Sequence, residues 1–130
     1  MQNFHTEEID MEHGKCTWLV ADCYWPEVTT PGHYVSHEAI CVLNTGNADA
    51  DINITLYFED REPMFGFTAK VAARRTSHIR MDKLTNTAGE PVPMGVPYAA
   101  LVESTTPIVC QYSRIDTTQV NETFGTTMMF

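Results

Sequence analysis

Residues 51–59 alternate without a break: Ile52, Ile54, Leu56 and Phe58 interleave with Asn53, Thr55, Tyr57 and Glu59. An extended strand places every second side chain on one face, so this run reads as a strand with one side in a core and one toward solvent. No helix-period apolar pattern of comparable length exists in the chain. Further strands are expected at 17–22, 34–43, 66–72, 73–81, 98–103, 108–115 and 125–130, separated by Gly, Pro, Asn and Asp clusters. About eight strands at this spacing predict an all-β fold, an antiparallel β-sandwich in a single domain.

Asn44-Thr45-Gly46-Asn47 lies between two apolar runs and predicts a hairpin over 38–59. Asn86 to Pro97 carries three prolines and two glycines, which makes it the longest loop and the expected place for a mobile flap. A short turn around 117–122 is the one helical piece expected.

At 130 residues, 43% hydrophobic and 19% charged, the chain can bury a core without metal or disulfide help. The sandwich is assigned to 15–130 and an acidic extension to 1–14, where Glu7, Glu8, Asp10 and Glu12 reverse the layout of a signal peptide. No apolar run approaches the ~20 residues of a membrane-crossing helix, so a soluble protein is expected, and the acidic N-terminus makes the cytoplasm its expected place. Cys16, Cys23, Cys41 and Cys110 show no CxxC pair and no zinc spacing, and read as small core residues in a reducing compartment. A pI near 4.8 argues against nucleic-acid binding.

Against that acidity stands Arg74-Arg75-Thr76-Ser77-His78-Ile79-Arg80, with three of the eight Lys/Arg residues in a chain of net charge −9. A cationic cluster in an acidic domain is costly unless an anion or an acidic partner meets it. Alternation sends Ile79 and Met81 to the core and puts Arg74, Thr76, His78 and Arg80 on the opposite face. Arg75 falls on the apolar side, where it either begins the strand at a bulge or is buried and paired. The stripe is a solvated face that deters edge pairing, or it is a binding surface.

The strands at 34–43 and 108–115 are apolar on both sides: Ala39, Cys41 and Leu43 against Ile40 and Val42, and Ile108 and Cys110 against Val109 and Ile115. Both sides then need cover. Together with the apolar Met128-Met129-Phe130, this predicts a homo-oligomer.

Several segments, in order, carry a family pattern. They are Trp18, Ser36-His37-Glu38 leading into Cys41-Val42-Leu43-Asn44 and Gly46, Ile54-Thr55-Leu56-Tyr57-Phe58 with Asp60-Arg61-Glu62-Pro63, Ala73-Arg74-Arg75-Thr76 followed by His78 and Arg80, and Pro107-Ile108-Val109 with Gln111, Arg114 and Asp116. Over roughly residues 16–118 the chain resembles the sensory rhodopsin transducer family. The resemblance implies a cytoplasmic β-sandwich assembled as a homotetramer. It also implies either small-molecule binding, of sugars or related metabolites, or the docking of a membrane receptor. Two departures stand out: Met1 to Gly14 lies outside the matching region, and Asp22-Cys23 replaces an acidic residue followed by glycine.

In such a sandwich, Ser36, His37, Glu38, Arg74, Arg75, His78, Gln111 and Arg114 come from three central strands. Guanidinium forks, a carboxylate and neutral donor-acceptors suit a polyol or a carboxylate, with Trp18, Trp25 or Tyr112 as an aromatic platform. The competing reading is an internal ion-pair network, for instance Glu38 to Arg75. A metal on His37, Glu38 and His78 meets the objection that adjacent strand residues face apart. Ser36 and Ser77 have no Gly-x-Ser-x-Gly turn, and no phosphate-binding glycine loop exists. The expectation is therefore a non-enzymatic binding module without a cofactor. Its ligand is a small polar metabolite, sugar-like or carboxylate, held by Trp18, Glu38, Arg74, Arg75, His78, Gln111 and Arg114. The alternative is a transducer whose stripe docks a membrane receptor or another acidic protein, and a sandwich-type enzyme is a weaker third.

Overall fold

A computed structural model of the protein describes residues 13–27 and 29–130. The sequence-predicted acidic extension thus lies almost wholly outside the described residues. Seven strands form in chain order: β1 (Lys15–Cys23), β2 (His37–Asn44), β3 (Ala50–Phe58), β4 (Met64–Val71), β5 (Arg75–Arg80), β6 (Tyr98–Asp116) and β7 (Thr123–Met128). All pairings are antiparallel. Among the described residues no helix is long and apolar enough to cross a membrane.

The 19-residue strand β6 organises the molecule. Its first half, residues 98–108, pairs with β1 and β3, and its second half, residues 109–116, pairs with β2 and β7. One half-sheet therefore runs β4-β3-β6-β1 and the other β5-β2-β6-β7, and they fold over a shared core. Two strands were expected at 98–103 and 108–115; they are one, because Pro107 is accommodated where the pairing changes partners, a place that needs no full ladder.

Alternation decides the faces. Ile52, Ile54 and Leu56 of β3 are fully buried against Val20, Phe67 and Val102 in one half and Ile40, Val42, Ile79 and Cys110 in the other. Each such side chain contributes about 1.5–3 kcal/mol by leaving water. Cys23 and Cys110 are core residues as expected, whereas Cys41 is half-buried and Cys16 is exposed on β1.

The expected hairpin over 38–59 does not form: β2 and β3 belong to different half-sheets. The intervening turn carries the chain across the core, and buried Asn44 fixes it. Its Nδ2 faces the carbonyls of Ala48, Val71 and Ala72 at 2.9–3.3 Å, and its Oδ1 accepts from the Gly46 amide at 3.0 Å. The segment expected to form a flap is tied down by Asn86, whose Oδ1 accepts from the amides of Ala88 and Glu90 and which bridges to Phe67. The helical turn lies at Met81–Lys83, not near 117–122. Gly66, at φ +85°, makes a bulge in β4, and a Cβ there would meet Thr87 Oγ1 at 2.6 Å.

Candidate functional site

Glu38 is the buried acid of the sandwich, 1% exposed on the inner face of β2 between Ser36 and Ile40. A carboxylate so placed needs donors on every side. Tyr98 Oη donates to Oε1 at 2.8 Å, the Tyr24 amide donates to Oε2 at 2.8 Å, and Tyr112 Oη also donates to Oε2. The two tyrosines come from opposite halves of β6, so Glu38 ties both half-sheets to the chain leaving β1.

Burial pushes the Glu38 carboxyl above the ordinary range, against the three hydrogen bonds and the field of Arg114, which pull it down. Burial, and then the Glu38 charge, push the Tyr98 and Tyr112 phenols up, so both remain protonated donors. The Cys23 thiol is pushed up chiefly by burial and then by Glu38, which keeps it neutral and unreactive.

Arg114 stands directly across from Glu38 in the β2–β6 register. It is half-buried, its Nη1 reaches the Tyr24 carbonyl at 3.5 Å, and it makes no ion pair within 4.0 Å among the described residues. With Tyr112 it lines a cleft of about 570 Å³ bounded by Val20, Asp22, Asp116 and β7 residues such as Thr123 and Thr127. The cleft has a simple origin. Leu19 and Phe130 exchange backbone hydrogen bonds, clasping the C-terminus to β1, and β1 and β7 pair no further among the described residues. Where the clasp ends, the strands part.

Of the residues expected to share a site, the structure brings together Glu38 and Arg114. Trp18 is a core residue whose Nε1 donates to the Lys15 and Ile108 carbonyls at 2.9 Å, with Lys15 Nζ 4.7 Å over its ring. Gln111 and His78 lie on the outer face of their half-sheet, opposite Met128 and Cys41 respectively. Arg74 occupies a turn at φ 57°, its Nε donating to Asn47 Oδ1 at 3.1 Å. Arg75 begins β5 in unbroken register with Asn44 and is exposed, so it is neither at the expected bulge nor in a buried pair, and the Glu38–Arg75 ion pair does not form. Arg80 pairs with Asp82 through two hydrogen bonds of 2.8 Å. Thr76, His78 and Arg80 pair with Leu43, Cys41 and Ala39, so this part of the stripe lies on the face of the half-sheet opposite Glu38.

Sequence reasoning missed Tyr98 as the second hydroxyl on Glu38, and Asp22 and β7 as cleft walls. The usable signal for Tyr98 was the phase of Glu38, which shares a face with Ile40 and Val42 and so demands buried donors from a facing strand.

The fold and the cleft define a small all-β module, a two-sheet sandwich joined through one long strand, with a groove of mixed polar and apolar lining near a buried carboxylate. The model of the family described as Anabaena sensory rhodopsin transducer matches residues 13–130. The chain belongs to that family. A crystal structure of Thermotoga maritima 1070 is similar at 34% identity and TM-score 0.81, covering 92% of this chain and 96% of that one. The Anabaena sensory rhodopsin transducer is similar at 34% identity and TM-score 0.71, covering 82% of this chain and 92% of that one. A comparison with curated proteins found no match.

Proposed function

We propose that the protein is a cytoplasmic, non-enzymatic module that binds a small polar metabolite, a sugar or sugar acid, in the cleft over Glu38 and signals its presence. One observation carries this reading: two of the residues that wall the cleft also bond groups outside it, in the buried network and in the segment after β1. Tyr112 lines the cleft and donates to Glu38, and Arg114 lines the cleft and holds the Tyr24 carbonyl. A ligand that draws on either side chain changes how the segment after β1 is anchored, and that segment presents exposed Tyr34 and Val35. Binding is thereby converted into a change at the surface.

The outer face of the β5-β2-β6-β7 half-sheet supports assembly. Leu43, Phe124 and Met128 are 45%, 68% and 51% exposed there in the single chain. A second copy covering this face, within a homotetramer, removes that apolar surface from water.

A thermal-shift screen with sugars and sugar acids tests the binding reading. A true ligand at about 100 times its Kd stabilises by ~2.7 kcal/mol. No stabilisation by any member of the panel contradicts it.

One observation favours a second reading, a protein transducer. Arg74 and Arg75 are exposed, and among the described residues their side chains bond only neutral acceptors, Asn47 Oδ1 and the Arg74 carbonyl. Two unpaired guanidinium groups suit an acidic partner or the inner face of a membrane photoreceptor, the kind of partner named for the Anabaena relative. A pull-down whose captured protein disappears on Arg74→Glu with Arg75→Glu, at unchanged thermal stability, supports this second reading.

A further inference from the structure

The charge balance around Arg114 says what kind of ligand the cleft accepts. Arg114 faces Glu38 across the β2–β6 register and shares its strand face with Asp116, two residues on, so carboxylates stand on two sides of its charge. Asp116 Oδ1 accepts from the Thr118 amide and hydroxyl, whereas Oδ2 has no donor among the described residues. Asp22, exposed at the end of β1 and also on the cleft wall, has no hydrogen-bond or ion-pair partner for its carboxylate among the described residues. An anion entering here finds one guanidinium, that of Arg114, already set between the carboxylates of Glu38 and Asp116, and meets the field of a chain with net charge −9. A ligand bringing N–H donors finds two carboxylate positions open.

Resting on the reading of the cleft as the ligand site, we propose that it selects a small organic cation, an amine on a hydroxylated body, over neutral and acidic analogues. The ammonium group meets Asp22 and Asp116 Oδ2. The hydroxyls meet Tyr112, Thr123 and Thr127, and the apolar face of the body lies toward Phe130.

Calorimetric titration of the full chain with glucosamine, glucose and glucuronate holds the ring constant and changes only the charge. Glucosamine is expected to bind about five- to tenfold tighter than glucose, the scale of one partly exposed charge-assisted contact, and glucuronate weakest. Asp22→Asn, a change at an exposed side chain, should bring glucosamine down to the level of glucose, so that the ratio of the two affinities collapses toward one. Glucuronate binding as tightly as glucosamine, or an amine preference that survives Asp22→Asn, overturns the proposal. Equal affinity for all three sinks the cation preference and leaves the cleft as a ligand site. Silence from all three removes both.

Discussion

The Tyr112 hydroxyl donates to the Glu38 carboxylate while its ring walls the cleft, so the buried acid and the open groove are one mechanical unit. Tyr98 and the Tyr24 amide complete the arrangement, and among the described residues no buried side-chain polar atom is left without a partner. The acid is thus well satisfied but poorly solvated, and those two facts act on its proton in opposite directions.

Burial is the larger influence and raises the Glu38 pKa above the ordinary value. A carboxyl raised in the folded state adds stability that is fully present below its unfolded pKa of about 4.3, and that stability is lost as pH rises through the folded pKa. Urea midpoints of wild type and Glu38→Gln across pH should therefore show the wild type losing ground to the variant as pH climbs from that value. A difference that stays flat contradicts the assignment.

Tyr98→Phe removes one donor from the buried carboxylate and keeps the ring. The expected loss is about 1.5–3 kcal/mol in chemical denaturation, the scale of a hydrogen bond to a charged group. A loss of a few tenths would show that water or Tyr112 replaces the bond.

Much of this fold could be read from the string of residues. The alternation around Ile54 locates β3, and the phase of Ile79 correctly assigns the faces of β5. The failures have physical causes. Asn44-Thr45-Gly46-Asn47 has turn chemistry, but turn residues look alike whether the flanking strands pair or cross to another half-sheet. Pro107 reads as a break because its missing N–H forbids a continuous ladder, yet β6 changes partners there. The site was less legible than the fold. Glu38 lies 60 positions from Tyr98 and 74 from Tyr112, and only the folded topology makes them neighbours. Arg74 and Arg75 attracted attention through charge density, a local property that says nothing about concavity.

Asp82 is almost covered, and although burial is the largest single influence and raises its carboxyl, the bonds and charge of Arg80, with smaller help from its backbone and His37, together leave it below the usual range. Stability from a depressed carboxyl is present above its unfolded pKa of about 3.9 and is lost as pH falls through the folded value. Arg80→Gln should cost about 1 kcal/mol at neutral pH, discounted for the partly exposed guanidinium, and should erase this acid-side loss. Parallel pH titrations of stability for the two proteins check it.

Two left-handed positions should respond in opposite ways. Gly66→Ala adds a Cβ at φ +85° against Thr87 and should destabilise by about 2 kcal/mol. Arg74→Gly relieves a non-glycine residue at φ 57° and should stay within about 1 kcal/mol of wild type, as relief of strain offsets greater freedom in the unfolded chain. Thermal denaturation of both variants distinguishes them.

The most direct measurement is an amide NMR titration of the full chain with whichever compound most raises its melting temperature in the sugar panel. Shifts are expected to concentrate at Tyr112, Arg114, Asp116 and Thr123 to Thr127, with a second group at Tyr24 where the Glu38 network ends. Shifts confined to Arg74 through Arg80, with the cleft silent, would contradict a ligand site over Glu38.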